Sequence, residues 1–250
     1  MQLDGAVAMV TGGTGGLGGR ICHALARAGC RVAFVYRASH DQARALAAEL
    51  AAYHGHTGLP LVADLTDPAT FPGLLAAVEE AFGRLDILVN NAAANRWVPY
   101  TDLEALTPEL WDDLLGRNLT SPFLLSRAAA PLLRRDGGGR IVNVSSVAGF
   151  QPTGSSIAYA VSKAGLNHLT RCLAVALAPD VLVNCVAPGL MEGTRMTDAL
   201  DPNYVERAKS GAALGRATSK DDVADQVVGF CRTDSITGQN LVIDAGRFYH

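Results

Sequence analysis

Short apolar runs alternate along the chain with longer stretches whose apolar positions recur at helical spacing. The run Ala6-Val-Ala-Met-Val10 predicts a fully buried strand, Gly12 to Gly19 a glycine-rich turn, and Arg20 to Ala28 a helix ended by Gly29. Arg31 to Tyr36 predicts a second strand, His40 to Tyr53 an alanine-rich helix, and Gly58 to Ala63 a third strand. Asp67 and Pro68, as cap and first-turn proline, open a helix that runs to Phe82. Leu85 to Val89 is a fourth strand, ending at Asn90-Asn91. After an irregular stretch from Asn95 to Thr107 comes a long helical region, Pro108 to Arg135, then a turn at Asp136 to Gly139. Arg140 to Val144 is a fifth strand, Ser155 to Ala178 a long helix, and Val181 to Val186 a sixth strand broken by Ala187-Pro-Gly189. Leu190 to Ala217 is mixed and partly helical. Ser219 begins a helix through Cys231, and Asn240 to Ile243 is the last strand.

Strict alternation of this kind predicts an α/β fold. The strands are continuous apolar runs, as expected when both faces of a parallel sheet are covered. No linker, repeat or low-complexity tract interrupts the order. The expectation is a single doubly wound (Rossmann) domain over residues 1–250, an about seven-stranded parallel sheet with helices on both faces.

Composition narrows the function classes. Hydrophobic residues make up 49% and charged residues 18%, enough for a sizeable core and too apolar for disorder. The net charge is -3 with no basic run, which argues against nucleic acid and against an anionic membrane surface. No apolar run reaches the ~18 residues of a membrane span, and no basic n-region with a longer apolar core opens the chain. The five cysteines (Cys22, Cys30, Cys172, Cys185, Cys231) are scattered without metal-ligand spacing and are expected to be buried free thiols. These observations predict a soluble, cytoplasmic protein without a metal. The only lysines are Lys163, Lys209 and Lys220.

The first candidate chemistry is the turn Thr11-Gly-Gly-Thr-Gly-Gly-Leu-Gly18 between the first strand and the first helix. Glycines there let the backbone approach a pyrophosphate, whose charge suits a helix N-terminus. Two registers fit: Gly13-x-Gly15-x-x-Gly18, and Thr11-Gly12-x-x-x-Gly16-x-Gly18. At the end of the second strand a carboxylate would accept from a ribose 2′-hydroxyl. The chain has Tyr36-Arg37-Ala38-Ser39 and no acid. Arg37 is suited to a 2′-phosphate and Ser39 adds a donor, so NADP(H) is expected over NAD(H).

The second is Ser146, Tyr159 and Lys163, within Val144 to Gly149 and Ala158 to Lys163. Four residues apart on a helix, Tyr159 and Lys163 share a face. An ammonium beside a phenol favours the phenolate, and a tyrosine so tuned exchanges a proton with a carbonyl or alcohol oxygen.

Taken together, Thr11-Gly-x-x-x-Gly16-x-Gly18, Asp64-Leu65, Asn90-Asn-Ala92, Asn118, Ser146, Tyr159-x-x-x-Lys163 and Pro188-Gly189 occur in an order that resembles the short-chain dehydrogenase/reductase family. The resemblance covers essentially the whole chain. It implies that Tyr159 is the general acid/base, that Lys163 lowers its pKa and holds the nicotinamide ribose, and that Ser146, rather than Ser145, meets the substrate oxygen. It implies that Asn118 positions a water of a proton relay. It implies a cofactor set of Gly12, Thr14, Gly16, Leu17, Gly18, Tyr36, Arg37, Ser39, Asp64, Leu65, Asn90, Ala92, Pro188, Gly189 and Thr194, together with Tyr159 and Lys163. Two departures stand out. Ala93 replaces the glycine usual after Asn-Asn-Ala, and alanine does not readily take positive φ, which leaves that loop's geometry open. Thr194 lies one residue late after Pro188-Gly189, with Gly193 as the accommodating insertion.

Substrate choice is expected to fall to Asn95 to Tyr100, Phe150 to Pro152 and a lid at about residues 190–215. These stretches offer Trp97, Tyr100, Phe150, Met191 and Met196, which suit an apolar or aromatic carbonyl compound or equally a lid seal or subunit contact. Arg96 faces either an acidic substrate or water. Arg247 to His250 is a candidate subunit contact. The resemblance implies a homotetramer or homodimer and a ketoreductase similar to 3-oxoacyl-carrier-protein reductases. An alcohol or sugar dehydrogenase and a non-catalytic dinucleotide sensor are the alternatives.

Overall fold

A computed structural model of the chain describes residues 1–197, 200 and 202–249. Positions 198, 199 and 201 of the expected lid, and His250 of the expected subunit contact, lie outside the described residues. The strands are β1 (Val7–Thr11), β2 (Arg31–Tyr36), β3 (Leu59–Val62), β4 (Ile87–Asn90), β5 (Gly139–Val144), β6 (Val181–Pro188) and β7 (Asn240–Ile243). The helices are α1 (Gly16–Arg27), α2 (His40–Leu50), α3 (Phe71–Phe82), α4 (Pro108–Leu115), α5 (Ser121–Leu133), α6 (Ile157–Leu177), α7 (Pro202–Ser210) and α8 (Lys220–Arg232). All seven strands are parallel, in the order β3-β2-β1-β4-β5-β6-β7.

Successive residues of a strand point to opposite faces, so each central strand feeds two cores. Ala8 and Val10 pack with Ile21 and Leu25 of α1, Leu46 of α2 and Val223 and Val227 of α8. Val7 and Met9 pack with Leu74 and Val78 of α3, Leu125 of α5, and Leu173 and Leu177 of α6. The edge strands are the least covered: in β3, Pro60 and Val62 face outward, and Leu241 of β7 is exposed. Pro60 is tolerated because an edge strand can spare an N–H.

Several boundaries differ from the sequence pattern for local reasons. α1 begins at Gly16, not Arg20, because the glycines after the turn take helical geometry under close packing. β6 runs through Pro188 instead of stopping at Val186. β5 ends opposite Val186, so the proline lies past that neighbour, and Gly189 N–H supplies the bond to Ile243 O at 2.9 Å. The long helical region is α4 and α5 joined by one π-helical turn, Gly116–Thr120, that carries Asn118. Such turns widen the helix locally and recur at functional sites. Four of the five cysteines are buried; Cys172 is exposed, against expectation. No helix among the described residues is long and apolar enough to cross a membrane.

At the amino ends of the strands, buried Asp86 accepts from Val7 N at 2.8 Å and from Arg84 Nε and Nη2 at 2.9 and 2.6 Å. It ties β1 to the start of β4 at the end of the sheet remote from the cleft described below. Asp86→Ala leaves a buried N–H unpaired, and should lower the unfolding free energy by about 2–3 kcal/mol. A urea midpoint unchanged from wild type would contradict this role.

Candidate active site

At the carboxyl ends of the strands, the chain passes from β1 to β2 on one side and from β4 to β5 on the other, which opens a crevice between β1 and β4. A cleft of about 460 Å³ occupies it. The clamp that shapes its floor is Asn91. Its Nδ2 donates to Thr11 O at 2.8 Å, and Thr11 Oγ1 accepts from the backbone of Asn91 and Ala92, each at 2.9 Å. Sequence reasoning assigned Thr11 and Asn91 to motifs without seeing that they bind the ends of β1 and β4 together.

The glycine turn sits over this clamp. Gly12 has φ +66, and a Cβ on Gly18 would lie 2.1 Å from Gly12 O. A Cβ on Gly16 would lie 2.7 Å from Gly193 O, across the cleft. Gly13 is as tightly fixed, since a Cβ on it would lie 2.5 Å from Phe34 Cβ, but it packs on the core and does not line the cleft, so the register Gly12, Gly16, Gly18 describes the cradle. Thr14 and Leu17 line the same wall. These close approaches, at the N-terminus of α1, fit a pyrophosphate. Ala93 is not among the residues with positive φ, so it takes an ordinary backbone conformation and the loop stays unstrained.

Tyr36, Arg37, Ser39, Asp64 and Leu65 line the far end. Tyr36 pairs with His40, its hydroxyl 3.2 Å from Nδ1. Asp64 accepts from Thr66 N and Oγ1 at 3.0 and 2.8 Å, which holds its carboxyl below the usual range. Arg37 Nη1 lies 3.9 Å from Asp64, in an exposed ion pair. Asn90 reaches the cleft as well, but its side chain is spent inside: Nδ2 donates to Ser126 Oγ and Asn143 Oδ1 at 3.0 and 2.9 Å. Ala92, Pro188, Gly189 and Thr194 line the middle.

Ser146, Tyr159 and Lys163 meet on one wall. Ser156 caps α6, accepting from Tyr159 N at 3.2 Å, so Tyr159 stands in the first turn and Lys163 one turn on. A Cβ on Gly149 would lie 2.8 Å from Lys163 O, which brings the turn after Ser146 against that helix. Ser145 is turned inward and donates to Lys163 O at 3.1 Å. Ser146 instead lines the cleft with Tyr159 and accepts from Ala148 N at 3.2 Å. The geometry thus distinguishes the two serines.

The charges behave differently from the helical-pair argument. Lys163 is 2% exposed, its Nζ donates to Val144 O at 2.9 Å, and burial pulls its pKa down to about 8. The Lys163 Nζ lies 5.8 Å from the centroid of the Tyr159 ring. Burial pushes the Tyr159 phenol up, and the Ser146 hydrogen bond only partly opposes it. The expected lowering of Tyr159 by Lys163 is therefore corrected for the chain itself: burial raises the phenol, and the group that opposes it is Ser146, not the ammonium.

Asn118 does not line the cleft. Its Oδ1 accepts from Ala94 N at 2.8 Å, and its Nδ2 donates to Ala94 O at 2.9 Å and Ser162 Oγ at 3.1 Å. Ser162 in turn donates to Tyr159 O at 2.7 Å. Asn118 thus joins the loop after β4 to the helix of Tyr159. Ser162 was missed; its place three residues after Tyr159 on one helix face was the available signal.

At the open end, Trp97, Met191 and Met196 line the cleft, whereas Tyr100 and Phe150 do not. Tyr100 donates to Thr153 O at 2.7 Å and braces the loop. Tyr204 of α7, unremarked in the sequence, stacks edge-on with Trp97 at 6.1 Å. Arg195 and Leu200, from the expected lid, also line the cleft, as do Arg247 and Phe248, which the sequence suggested for a subunit contact.

With this geometry in view, comparison with known proteins is direct. The short chain dehydrogenase family model matches residues 6–205. A Streptomyces violaceoruber protein named "Granaticin polyketide synthase putative ketoacyl reductase 2" is 41% identical over 242 residues, covering 96% of this chain and 95% of that one. The 3-oxoacyl-[acyl-carrier-protein] reductase FabG of Aquifex aeolicus is 35% identical, covering 99% of both. The crystal structure of a short chain dehydrogenase from Burkholderia cenocepacia J2315 in complex with NADP superposes with a TM-score of 0.90, at 36% identity over 99% of each chain. The chain belongs to the short-chain dehydrogenase/reductase family, a family of oxidoreductases that bind a nicotinamide dinucleotide. Within it, the chain is similar to the 3-oxoacyl-carrier-protein reductases.

The buried lysine makes a stability prediction. Below pH 8 the full cost of burying the charge is present. Above it the folded chain releases the proton while the unfolded chain keeps it up to about 10.5, so stability rises with pH. Relative to Lys163→Met, wild type should gain about 2 kcal/mol between pH ~7.5 and ~10. Parallel unfolding curves of the two proteins across that range would contradict the burial of a charged group.

Proposed function

We propose that the protein is an NADP(H)-dependent ketoreductase that acts on a 3-oxoacyl thioester or a hydrophobic or cyclic ketone. The observation that carries the reading is the convergence of Ser146, Tyr159 and Lys163 on the wall of the same cleft whose other end is the glycine cradle. The cradle of Gly12, Gly16 and Gly18 would take the pyrophosphate, Asp64 and Leu65 the adenine, and Arg37 and Ser39 the 2′-phosphate. Lys163, Asn90, Ala92, Pro188, Gly189 and Thr194 would hold the nicotinamide side. The nicotinamide, when bound, supplies hydride to the carbonyl carbon or accepts it in reverse.

The protein's part is placement and proton handling. As hydride reaches carbon, negative charge grows on the substrate oxygen, and the hydroxyls of Ser146 and Tyr159 donate to it. Because burial keeps the phenol protonated, Tyr159 begins the reduction with the proton that the oxygen needs. Lys163 stands one helical turn behind it and stabilises the phenolate left when that proton departs. Asn118, through Ser162, fixes the turn of α6 on which Tyr159 sits.

Segment 190–215 serves as the lid of one domain spanning 1–250. Its Met191 and Met196, with Trp97 and Tyr204, make the substrate end apolar and aromatic. Exposed apolar side chains on α5, α6 and β7 (Phe123, Val161, Val175, Leu241) support a homotetramer or homodimer, and five unpaired thiols support a reducing cytoplasm.

Tyr159→Phe should lower kcat for ketone reduction on the order of 10²-fold or more while leaving NADPH affinity near wild type. Turnover unchanged across 3-oxoacyl thioesters, quinones and cyclic ketones would remove Tyr159 from the mechanism. Binding of NADPH without turnover on any of them by wild type would favour a sensor.

A further inference from the structure

The lid reaches back across the cleft to the end of β2. Arg195 Nη2 donates to Ser39 Oγ at 2.7 Å and to Gln42 Oε1 at 3.5 Å, bonds between residues more than 150 positions apart in the chain. Both acceptors are neutral. Arg37, at the same end, has Asp64 for a partner at 3.9 Å, and that carboxylate is fixed by Thr66. Arg37 and Asp64 offset each other in part. Arg117, which also lines the cleft, is paired with Asp113 at 2.7 Å, whereas among the described residues Arg195 has no carboxylate within ion-pair distance.

We propose that Arg195 is a specificity-determining residue that binds the 2′-phosphate of the dinucleotide from the lid side, and that this contact couples phosphate recognition to closure over the substrate. The proposal rests on the NADP(H) reading above. A phosphate dianion beside Ser39 would face Asp64 as well as Arg37, so a second guanidinium is needed to make the site attractive. Arg195 already touches Ser39, the hydroxyl expected to donate to that phosphate. A planar fork of donors suits it.

The coupling follows from where Arg195 sits. Its neighbour Thr194 packs over Gly16 of the cradle, and the next residue, Met196, lines the substrate end. The same segment is anchored on its far side by Lys220 Nζ on Gly193 O at 3.1 Å and by the Glu192–Lys209 pair at 2.7 Å. A pull on Arg195 from the phosphate therefore draws a short, tethered strip across both cofactor and substrate. A dinucleotide lacking the 2′-phosphate makes no such contact, so it would leave this strip held only by its own hydrogen bonds.

Calorimetric titration with 2′,5′-ADP and 5′-ADP tests the contact without any turnover. Wild type should prefer 2′,5′-ADP. Arg195→Ala should weaken 2′,5′-ADP about ten-fold or more, leaving 5′-ADP within about two-fold, and Arg195→Lys should recover part of the loss. Equal loss for both ligands, or none, overturns the proposal. Wild type that does not distinguish the ligands overturns the NADP(H) reading too. Discrimination lost in Arg37→Ala but kept in Arg195→Ala leaves NADP(H) standing and removes Arg195. Amide hydrogen exchange over residues 190–197 reads the coupling. In wild type 2′,5′-ADP should protect this stretch more than 5′-ADP does, and in Arg195→Ala the two should protect it alike. Equal protection by the two ligands in wild type overturns the coupling.

Discussion

An ammonium buried as completely as that of Lys163 carries a desolvation cost of several kcal/mol. The chain offsets part of it with the Val144 carbonyl at 2.9 Å. That bond fixes α6 against the end of β5, and much of the site follows from it. Ser145 must turn inward to the Lys163 carbonyl, which leaves Ser146 on the cleft side beside Tyr159. Gly149 must lack a side chain where its turn meets the same helix. Function explains why such a cost is retained: a lysine that only decorated a surface would need none of this packing.

The second support is the hydrogen-bonded path from Ala94 through Asn118 and Ser162 to the Tyr159 carbonyl. It uses the π-helical turn between α4 and α5 to aim one amide at two elements. Cofactor side and substrate side are thereby fixed to each other. The loop after β4 borders the cleft, and α6 carries Tyr159, the proposed acid/base, so the path holds the two walls together.

Much of the fold was legible because both faces of the central strands are covered. Val7 to Val10 and Ile141 to Val144 then become near-uninterrupted apolar runs, separated by helices of distinct period. The site was legible where spacing alone sets geometry: Tyr159 and Lys163 one turn apart, and glycines where β1 passes into α1. What was not legible depends on tertiary context. Local pattern cannot tell that Tyr159 is buried deeply enough for desolvation to raise its phenol. Nor can it place Arg195 beside Ser39, two residues brought together only by the folded lid. Ala93, where a glycine is usual, left the loop's geometry open, and the backbone does not enter the region that would require a glycine.

The central claim is that one cleft joins a dinucleotide cradle to a proton-donating wall so that hydride passes directly to a carbonyl carbon. Its most direct test is isotope transfer by the wild-type protein from NADPH deuterated at the nicotinamide C4, offered with 3-oxoacyl thioesters and cyclic ketones. The account predicts alcohol product carrying deuterium at the carbinol carbon, from one face of the nicotinamide only. Dinucleotide bound with its label retained, and no labelled alcohol from any member of the panel, would contradict it.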